Sequence, residues 1–490
     1  MSKIYLSKST FIKGLQCEKS LYLHKYHSNL SDDTNLQQQA IFDRGTRVGE
    51  LAQQLFPGGV DASPRDYTQY FESIKDTQKL IKDGVEVIYE AGFCFNNVIC
   101  FIDILVKKKG RWYAYEVKSS TKLTDVYIID ASLQYYVMQN TGLDIANISI
   151  IHINNTYNRF GPLDLKKLFN FVIVTKDAIN NNNYIKNKLL ELHSVLAQKS
   201  IPNIAIGPHC TTPYNCDFKG YCWSHVPEYS IFNLSRLNKK IKWTLYGRGV
   251  MDLSQIPLDA NLSDNQKIEI DSYMNQTEII HKIKIRKFVN SLSSELYHLD
   301  FETYQSVVPY FDNVKPYQQI PFQYSAHYEH NQMVAHSEYL AKDSLTDCRE
   351  DFIKNLIRDM KQDGDILVYN ISFERSCINE LIRCFPQYQS ELLAIIDRMK
   401  DLMLPFKERW YYTPKMKGSY SIKYVLPALV PSLSYDCLEI NNGNLASLTF
   451  ANIHNVTDEE EVGVIRKNLL EYCKRDTLAM VKILDVLKSI

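Results

Sequence analysis

The chain has 490 residues, in which Lys+Arg and Asp+Glu both total 56. It is too long for one ordinary core, and its charge balance gives no overall basic field to advertise a polyanionic partner. The start, MSKIYLSKSTFIKGLQC, lacks the apolar centre of a secretory signal, and no run of about 18 apolar residues occurs; a soluble, cytoplasmic chain with no membrane partner is expected. In that reducing setting the 11 cysteines argue against a disulfide framework. Clustered thiols are expected as metal ligands or catalytic groups, and the scattered Cys94, Cys100, Cys348, Cys377, Cys384, Cys437 and Cys473 as core packing.

No internal repeat of fixed period is present, and the one biased tract, Asn180 to Asn183, reads as a loop. Three segments follow from the patterning: residues 1–230 with spaced cysteines, a basic amphipathic helical connector over 231–290, and residues 291–490, which open on a new strand pattern. In the first segment VIYEAGFCF, VICFIDILV and RWYAYEVKSS are rich in β-branched and aromatic residues and are divided by NN and KKG. They read as a three-stranded meander. A helix over Thr124 to Thr141, closed by Gly142, and a strand in ANISIIHIN come next.

Glu116 and Lys118 are two apart on the third strand and share a face, beside Asp103 if its strand is the neighbour. Two carboxylates and an ammonium suit phosphodiester hydrolysis: the acids hold Mg²⁺ or Mn²⁺, and the lysine positions the nucleophile or offsets charge in the transition state. A bare EVK would more often be a solvent-facing charge pair. In its strand–turn–strand–helix setting, however, Asp103…EVK…LQYY resembles the PD-(D/E)XK nucleases of the RecB-like type. The resemblance implies a restriction-endonuclease-like fold, metal ligation by Asp103 and Glu116, catalysis by Lys118, and a supporting role for Gln134 with Tyr135 or Tyr136. Glu90, on the preceding strand, is a further candidate ligand. RGTRVGELAQQLFPGG carries Gly45 but no histidine after it, so an all-carboxylate metal site is expected.

A subset of RecB-like nucleases, including AddB and the CRISPR-adaptation nucleases, resembles this chain in placing one cysteine before the nuclease motifs and three after them. Here these are Cys17 and the C-x₅-C-x₅-C of Cys210, Cys216 and Cys222. The pattern implies a structural 4Fe–4S cluster that clasps the domain. A four-cysteine zinc site is the alternative, although zinc modules more often use paired C-x₂₋₄-C spacings.

In the connector, RLNKKIKWTLYGRG and HKIKIRK read as solvated helix faces that, with Trp243 and Tyr246 interleaved, could also track a nucleic-acid strand. Beyond it, Asp300 and Glu302 in ELYHLDFETYQ lie on one strand face. PFQYSAHYEH and QMVAHSEYLA continue as strands, a helix is expected over Leu345 to Met360, and DILVYN gives a strand before the helix in ISFERSCINELIRC. The last helix puts Tyr472 and Asp476 four apart on one face. In order, HLDFET, YNISFE and YCKRD resemble the motifs of DnaQ-like DEDD exonucleases of RNase H-like fold. The resemblance implies metal ligation by Asp300, Glu302, Glu374 (in the place usually held by aspartate) and Asp476, with Tyr472 orienting water. Asp401 and the stretch Gly418 to Leu429 also resemble an uncharacterised C-terminal domain fused to RecB-like nucleases.

The expectation is therefore an α/β chain, a PD-(D/E)XK domain followed by an RNase H-like domain, acting as a metal-dependent DNA nuclease with a 3′–5′ exonuclease centre in repair, recombination or defence. RNA trimming, or a nucleic-acid-binding scaffold with a degenerate centre, are the alternatives. No G-x-x-x-x-G-K-S/T phosphate loop occurs, so unwinding would come from a partner such as a helicase acting ahead of single-stranded ends.

Overall fold

The computed structural model describes residues 4–33, 36–330, 333–360 and 363–490. The chain is mixed α/β and divides into two compact units, one of Met1–His225 with Val307–Tyr317, the other of Val226–Ser306 with Gln318–Ile490. The helices of the expected connector thus belong to the second unit. Among the described residues no helix is long and apolar enough to cross a membrane.

The first unit runs β1 (Leu6–Ser7), α1 (Lys8–Gln16), α2 (Glu18–Tyr26), α3 (Leu36–Gln53), β2 (Val60–Asp61), α4 (Tyr70–Lys82), β3 (Val87–Phe95), β4 (Val98–Lys108), β5 (Arg111–Lys118), α5 (Asp125–Asn140), β6 (Ile145–Ile153), α6 (Leu165–Leu168), β7 (Phe169–Ile173), α7 (Thr175–Asn180), α8 (Asn182–Leu196) and α9 (Lys219–Cys222). Its strands form one sheet in the order β2-β3-β4-β5-β6-β7, with β1 parallel to the start of β4. The expected meander is β3–β4–β5, closed by the two-residue turns Asn96-Asn97 (φ 52° and 60°) and Lys109-Gly110 (φ 51° and 81°). Positive φ at both turn positions matches the twist of the flanking strands. Helix α5 then crosses to β6, which lies parallel to β5. It is buried without a break from Asp130 to Met138, as a helix covered on several sides must be. Its face of the sheet is sealed by Ile102, Leu105, Trp112, Ala114, Ile148 and Ile150. The opposite face packs Val48 and Ala52 of α3 with Val307 and Val308.

The asparagine tract departs from the expected loop: α7 ends at Asn180, α8 begins at Asn182, and Asn181 alone separates them. The cause is tertiary, because Asn181 donates to Ser132 Oγ at 3.1 Å and Asn182 to Gln139 Oε1 at 3.2 Å. With partners on α5, these amides do not compete for their own backbone.

The second unit runs α10 (Lys239–Gly247), α11 (Asp264–Asn275), β8 (Ile279–Ile280), α12 (Lys282–Asn290), β9 (Leu296–Gln305), β10 (Gln319–His330), β11 (Met333–Leu340), α13 (Arg349–Asp359), β12 (Asp365–Val368), α14 (Ile371–Cys384), α15 (Gln389–Asp397), β13 (Met399–Asp401), α16 (Leu404–Lys407), β14 (Tyr411–Tyr412), α17 (Ile422–Leu429), α18 (Gly443–Asn452) and α19 (Glu459–Lys488). Its main sheet has the order β11-β10-β9-β12-β13. β9, β10 and β11 are antiparallel, whereas β12 and β13 run parallel to β9. Gln332, where the third strand was expected to begin, lies outside the described residues.

Alternation along β9 sorts its side chains. Tyr297, Leu299 and Phe301 pack with Phe352, Leu356 and Ile378 of α13 and α14, so Asp300 and Glu302 face the other way, toward α19. There Gln323 donates to Leu469 O at 2.8 Å, and Thr477 lies 2.8 Å from both Ser325 and His327. These bonds fix α19 on the sheet. In the former connector the Trp243 ring meets Phe232 edge-on and the Tyr246 ring meets it at a tilt, with centroids 5.2 and 5.8 Å away.

Candidate active sites

In the second unit, Asp300 and Glu302 of β9 and Asp476 of α19 present carboxylate oxygens that all lie within 4.8 Å of one another. Glu302 and Asp476 are buried. Withdrawal from water, then repulsion from Asp476 and Glu302, pushes the Asp300 carboxyl well above its ordinary range. Burial and Asp476 push Glu302 up to about 8. For Asp476 burial outweighs the Tyr435 hydroxyl and Lys423, and the carboxyl stands at about 6. Three acids forced together without a cation are expensive, because each would rather be neutral. Glu374, in the first turn of α14, stays outside this close set, yet its field reaches Asp300 and Glu302. Burial raises it to about 8, and among the described residues its Oε2 has no hydrogen-bond partner.

Residues that the sequence did not flag complete this site. Tyr435 donates to Asp476 Oδ1 at 2.5 Å. Lys423, at the start of α17, sits 5.1 Å above the Tyr435 ring and 5.0 Å above that of Tyr472. Tyr472 is itself buried, with its hydroxyl pushed upward by burial, Asp476 and Glu302. Cys473, expected only to pack the core, lies 3.8 Å from Asp300 Oδ2. Gly443 borders the cluster: a Cβ there would stand 3.5 Å from Glu302 Oε2 and 3.9 Å from the Tyr472 hydroxyl.

The raised carboxyls give a pH signature. Glu302, Glu374 and Asp476 titrate above the ordinary carboxylate range, so the metal-free native unit binds more protons than the unfolded chain between the two sets of values. The stability this contributes is full below about pH 4 and is lost as pH rises through about 8. A bound cation takes the protons' place, so Mg²⁺ or Mn²⁺ should raise Tm more at about pH 8 than at about pH 5.5. Taking the difference from an EDTA sample removes the opposing trend of buried histidines such as His327, pushed down to about 4 by burial and His336. A metal-induced Tm gain that shrinks toward pH 8 would contradict this account.

In the first unit, β3–β4 and β4–β5 pairing sets Glu90, Asp103 and Glu116 in one row across three strands, on the face that α5 covers. Glu90 takes φ 51° and interrupts its ladder opposite Asp103. Asp103 Oδ2 accepts from Val117 N at 2.5 Å. Glu116 is fully engaged: Oε1 accepts from Lys118 and Lys8, both at 2.6 Å, and Oε2 from Gln134 at 2.5 Å. Lys118 also donates to Asp130 Oδ2 at 2.6 Å. Burial opposes Glu116's charge, but Lys118 and Lys8 outweigh it and hold the carboxyl below its ordinary range. Burial instead raises Asp103 well above its usual value, with Glu116 adding repulsion, and lifts Glu90 to about 7 against the pull of Lys8. Lys8 and Asp130 are the residues that sequence reasoning missed here. Tyr135 and Tyr136, on α5 itself, are buried in the core.

Cys17, Cys210, Cys216 and Cys222 line one small cavity with Ile206 and Phe218. Cys17 closes α1 and opens α2, and Cys216 N donates to Cys210 O at 3.0 Å. Helix α1 is tied to the loop by the Lys13–Asp217 ion pair and by Gln16, which donates to His209 O at 2.6 Å and Tyr214 O at 2.7 Å. The opposite end of the same helix supplies Lys8.

With both sites laid out, similarity to known sequences locates part of the chain. A family model described as Domain of unknown function (DUF2779) matches residues 297–421, from β9 to the edge of α17. It takes in Asp300, Glu302 and Glu374 and stops before Lys423, Tyr472 and Asp476. "Uncharacterized protein MG366 homolog" of Mycoplasma pneumoniae is 28% identical over 219 residues, covering 41% of this chain and 33% of that protein. "Uncharacterized protein MG366" of Mycoplasma genitalium is 26% identical with the same coverage. "Uncharacterized protein UU173" of Ureaplasma parvum is 25% identical over 278 residues, 50% of this chain and 40% of the relative. The chain spans about a third to two fifths of the length of the curated relatives it matches.

Proposed function

We propose that the chain is a metal-dependent nuclease with two hydrolytic centres, acting on DNA with single-stranded ends. The observation that carries this reading is the mutual approach of the Asp300, Glu302 and Asp476 oxygens to within 4.8 Å in a buried setting. Oxygen donors held this closely suit Mg²⁺ or Mn²⁺, and the buried Glu374 Oε2, which among the described residues has no hydrogen-bond partner, offers a further donor. The order β11-β10-β9-β12-β13, antiparallel and then parallel, supports an RNase H-like, DnaQ-like domain. The β3–β4–β5 meander crossing through α5 to a parallel β6 supports a PD-(D/E)XK domain of the RecB-like type.

When bound, Mg²⁺ or Mn²⁺ neutralises the scissile phosphate and lowers the pKa of water. Asp300, Glu302 and Asp476 would hold it, with Glu374 as the outlying donor. Tyr435 fixes the rotamer of Asp476, Tyr472 is placed to orient water, and Lys423 brings a positive charge to the phosphate's side of the cluster. In the first unit Glu90, Asp103 and Glu116 are the donors. Gln134 fixes Glu116, and Lys118 holds a proton and a positive charge beside it. Lys8 competes with a cation for Glu116 Oε1.

The four thiols fit a structural 4Fe–4S cluster. A four-cysteine zinc site is the alternative that the same thiols could hold. Repair, recombination or defence, with a helicase as partner, are the settings this activity fits.

The test is cleavage of labelled single- and double-stranded DNA and RNA in Mg²⁺ or Mn²⁺ against EDTA. In an Asp300→Asn background, Glu116→Gln and Lys118→Met should each abolish the remaining cleavage. Lys8→Met should lower the metal concentration needed for half-maximal rate, because it frees Glu116 Oε1. Cleavage indifferent to Glu116→Gln would reduce the EVK motif to a buried ion-pair network.

A further inference from the structure

Beside the acidic cluster the second unit contains an open cavity of about 560 Å³, well within the size range of ligand sites. It is lined by Arg236 and Lys417 together with Tyr369, Tyr420 and Tyr424, and among the described residues no carboxylate lines it. We propose that this groove binds a single-stranded nucleic-acid end and delivers it to Asp300, Glu302 and Asp476. The inference rests on the nuclease reading of that cluster and adds where the strand runs and what recognises it.

The chemistry is that of strand binding without sequence readout, in which cations track phosphates and aromatic faces stack bases. Tyr424 is 44% exposed, which leaves its ring accessible to a base. Arg236 lies 5.6 Å over the Tyr420 ring and donates through Nε and Nη2 to its hydroxyl at 3.2 and 3.0 Å, so cation and ring form one platform. Lys417 pairs with Glu228, but that carboxylate is 81% exposed; such a screened pair contributes little and yields readily to phosphate.

The groove is built in advance of any occupant. Five non-glycine residues of the second unit have positive φ among the described residues: Arg236, Gln276, Asn370, Arg409 and Lys417. Arg236, Asn370 and Lys417 line this one cavity, and Arg409 lies beneath it. Such backbone is held only where the surroundings over-determine it, and it gathers at functional sites. Here the surroundings are a buried ion pair. Arg409 donates to Glu269 Oε1 through Nε at 2.8 Å and Nη2 at 2.5 Å. Glu269 accepts from Ser235 N at 3.0 Å, next to Arg236, while Arg409 donates to Gly418 O at 3.0 Å, next to Lys417. One buried pair therefore fixes both cationic segments. They meet at Gly418, where a Cβ would fall 2.2 Å from Asn233 O.

Helix α17 links the groove to the cluster. Tyr424 and Ile422 line the groove, and between them Lys423 reaches the rings of Tyr435 and Tyr472. On the other wall Asn370 precedes α14, whose first turn carries Glu374.

The test uses the full chain carrying Asp103→Asn and Asp300→Asn, so that it binds without cutting, and fluorescent single-stranded DNA, single-stranded RNA and blunt duplex DNA as probes. Tyr424→Ala and Arg236→Met should each weaken single-strand binding about ten-fold, as loss of one stacked base or one platform predicts, and leave duplex binding within about two-fold. Arg236→Met should also flatten the salt dependence. A single strand with 5-iodouracil near its 3′ end should crosslink to peptides containing Tyr420 or Tyr424; a clear preference between the two sugars would name the natural strand. Unchanged binding in both variants, with Tm retained and crosslinks elsewhere, overturns the groove. If the unsubstituted protein cuts in an Asp300-dependent way while the groove variants bind normally, the groove falls and the nuclease reading stands. If the variants lose binding but no metal- and Asp300-dependent cleavage exists, the groove stands and the nuclease reading falls.

Discussion

Asp300→Asn and Asp476→Asn should each reduce 3′-end degradation on the order of 10³-fold, since each removes one donor from the close carboxylate set. The readout is the ladder from a 5′-labelled single strand in Mg²⁺, with the first centre silenced by Asp103→Ala. A second measurement separates loss of a ligand from loss of fold. Asp300 is held above its ordinary range by burial and by Asp476 and Glu302, so removing its charge relieves repulsion, and Asp300→Asn in EDTA should melt at or above the temperature of the unsubstituted protein while no longer gaining from Mg²⁺. Tyr435→Phe should cost about 10- to 100-fold through the freed Asp476 carboxylate, and Tyr472→Phe should slow turnover without loss of metal. Glu374→Gln should damage activity if the unpaired Oε2 is a donor, and Glu374→Asp should retain it. A normal ladder from Asp300→Asn would end the exonuclease reading.

Cys17→Ser and Cys222→Ala should release the cluster and unfold much of the first unit, because both cysteines lie where the chain's first helices meet the 208–222 loop. A site absent from the unfolded chain contributes its binding energy to folding, so a drop of several kcal/mol is expected, seen as loss of iron, loss of brown absorbance and an early unfolding transition. Stoichiometric zinc with no iron after anaerobic purification would replace the cluster with a mononuclear site.

Where the sequence could be read, the reason was a local period. Asp300 and Glu302 share a face because strands repeat every two residues, and Tyr472 and Asp476 because helices return after four; both pairs meet at one point only because α19 covers β9. Lys423 and Tyr435 have no such relation to the motifs; Lys423 joins the site through the packing of α17 against α19, and Tyr435 through its bond to Asp476 from the segment after α17. Lys8 precedes Glu116 by 108 residues, a separation that no pattern spans. Asp130 was within reach, standing four residues before Gln134 on α5. Trp243 and Tyr246 show a different limit: composition marked the tract that begins at Arg236, but that Trp243 and Tyr246 lie against Phe232 depends on tertiary packing.

Helix α1 has nine residues and is therefore about 13 Å long. Its first residue grips Glu116 and the residue after its last is Cys17. A rod with one end in the cysteine cavity and the other on a carboxylate would act as a lever: loss of the proposed cluster at one end would displace the ammonium at the other. Glu116-dependent cutting that stays lost after the cluster is removed and Mg²⁺ is restored would then report leverage, and would say nothing about electron transfer.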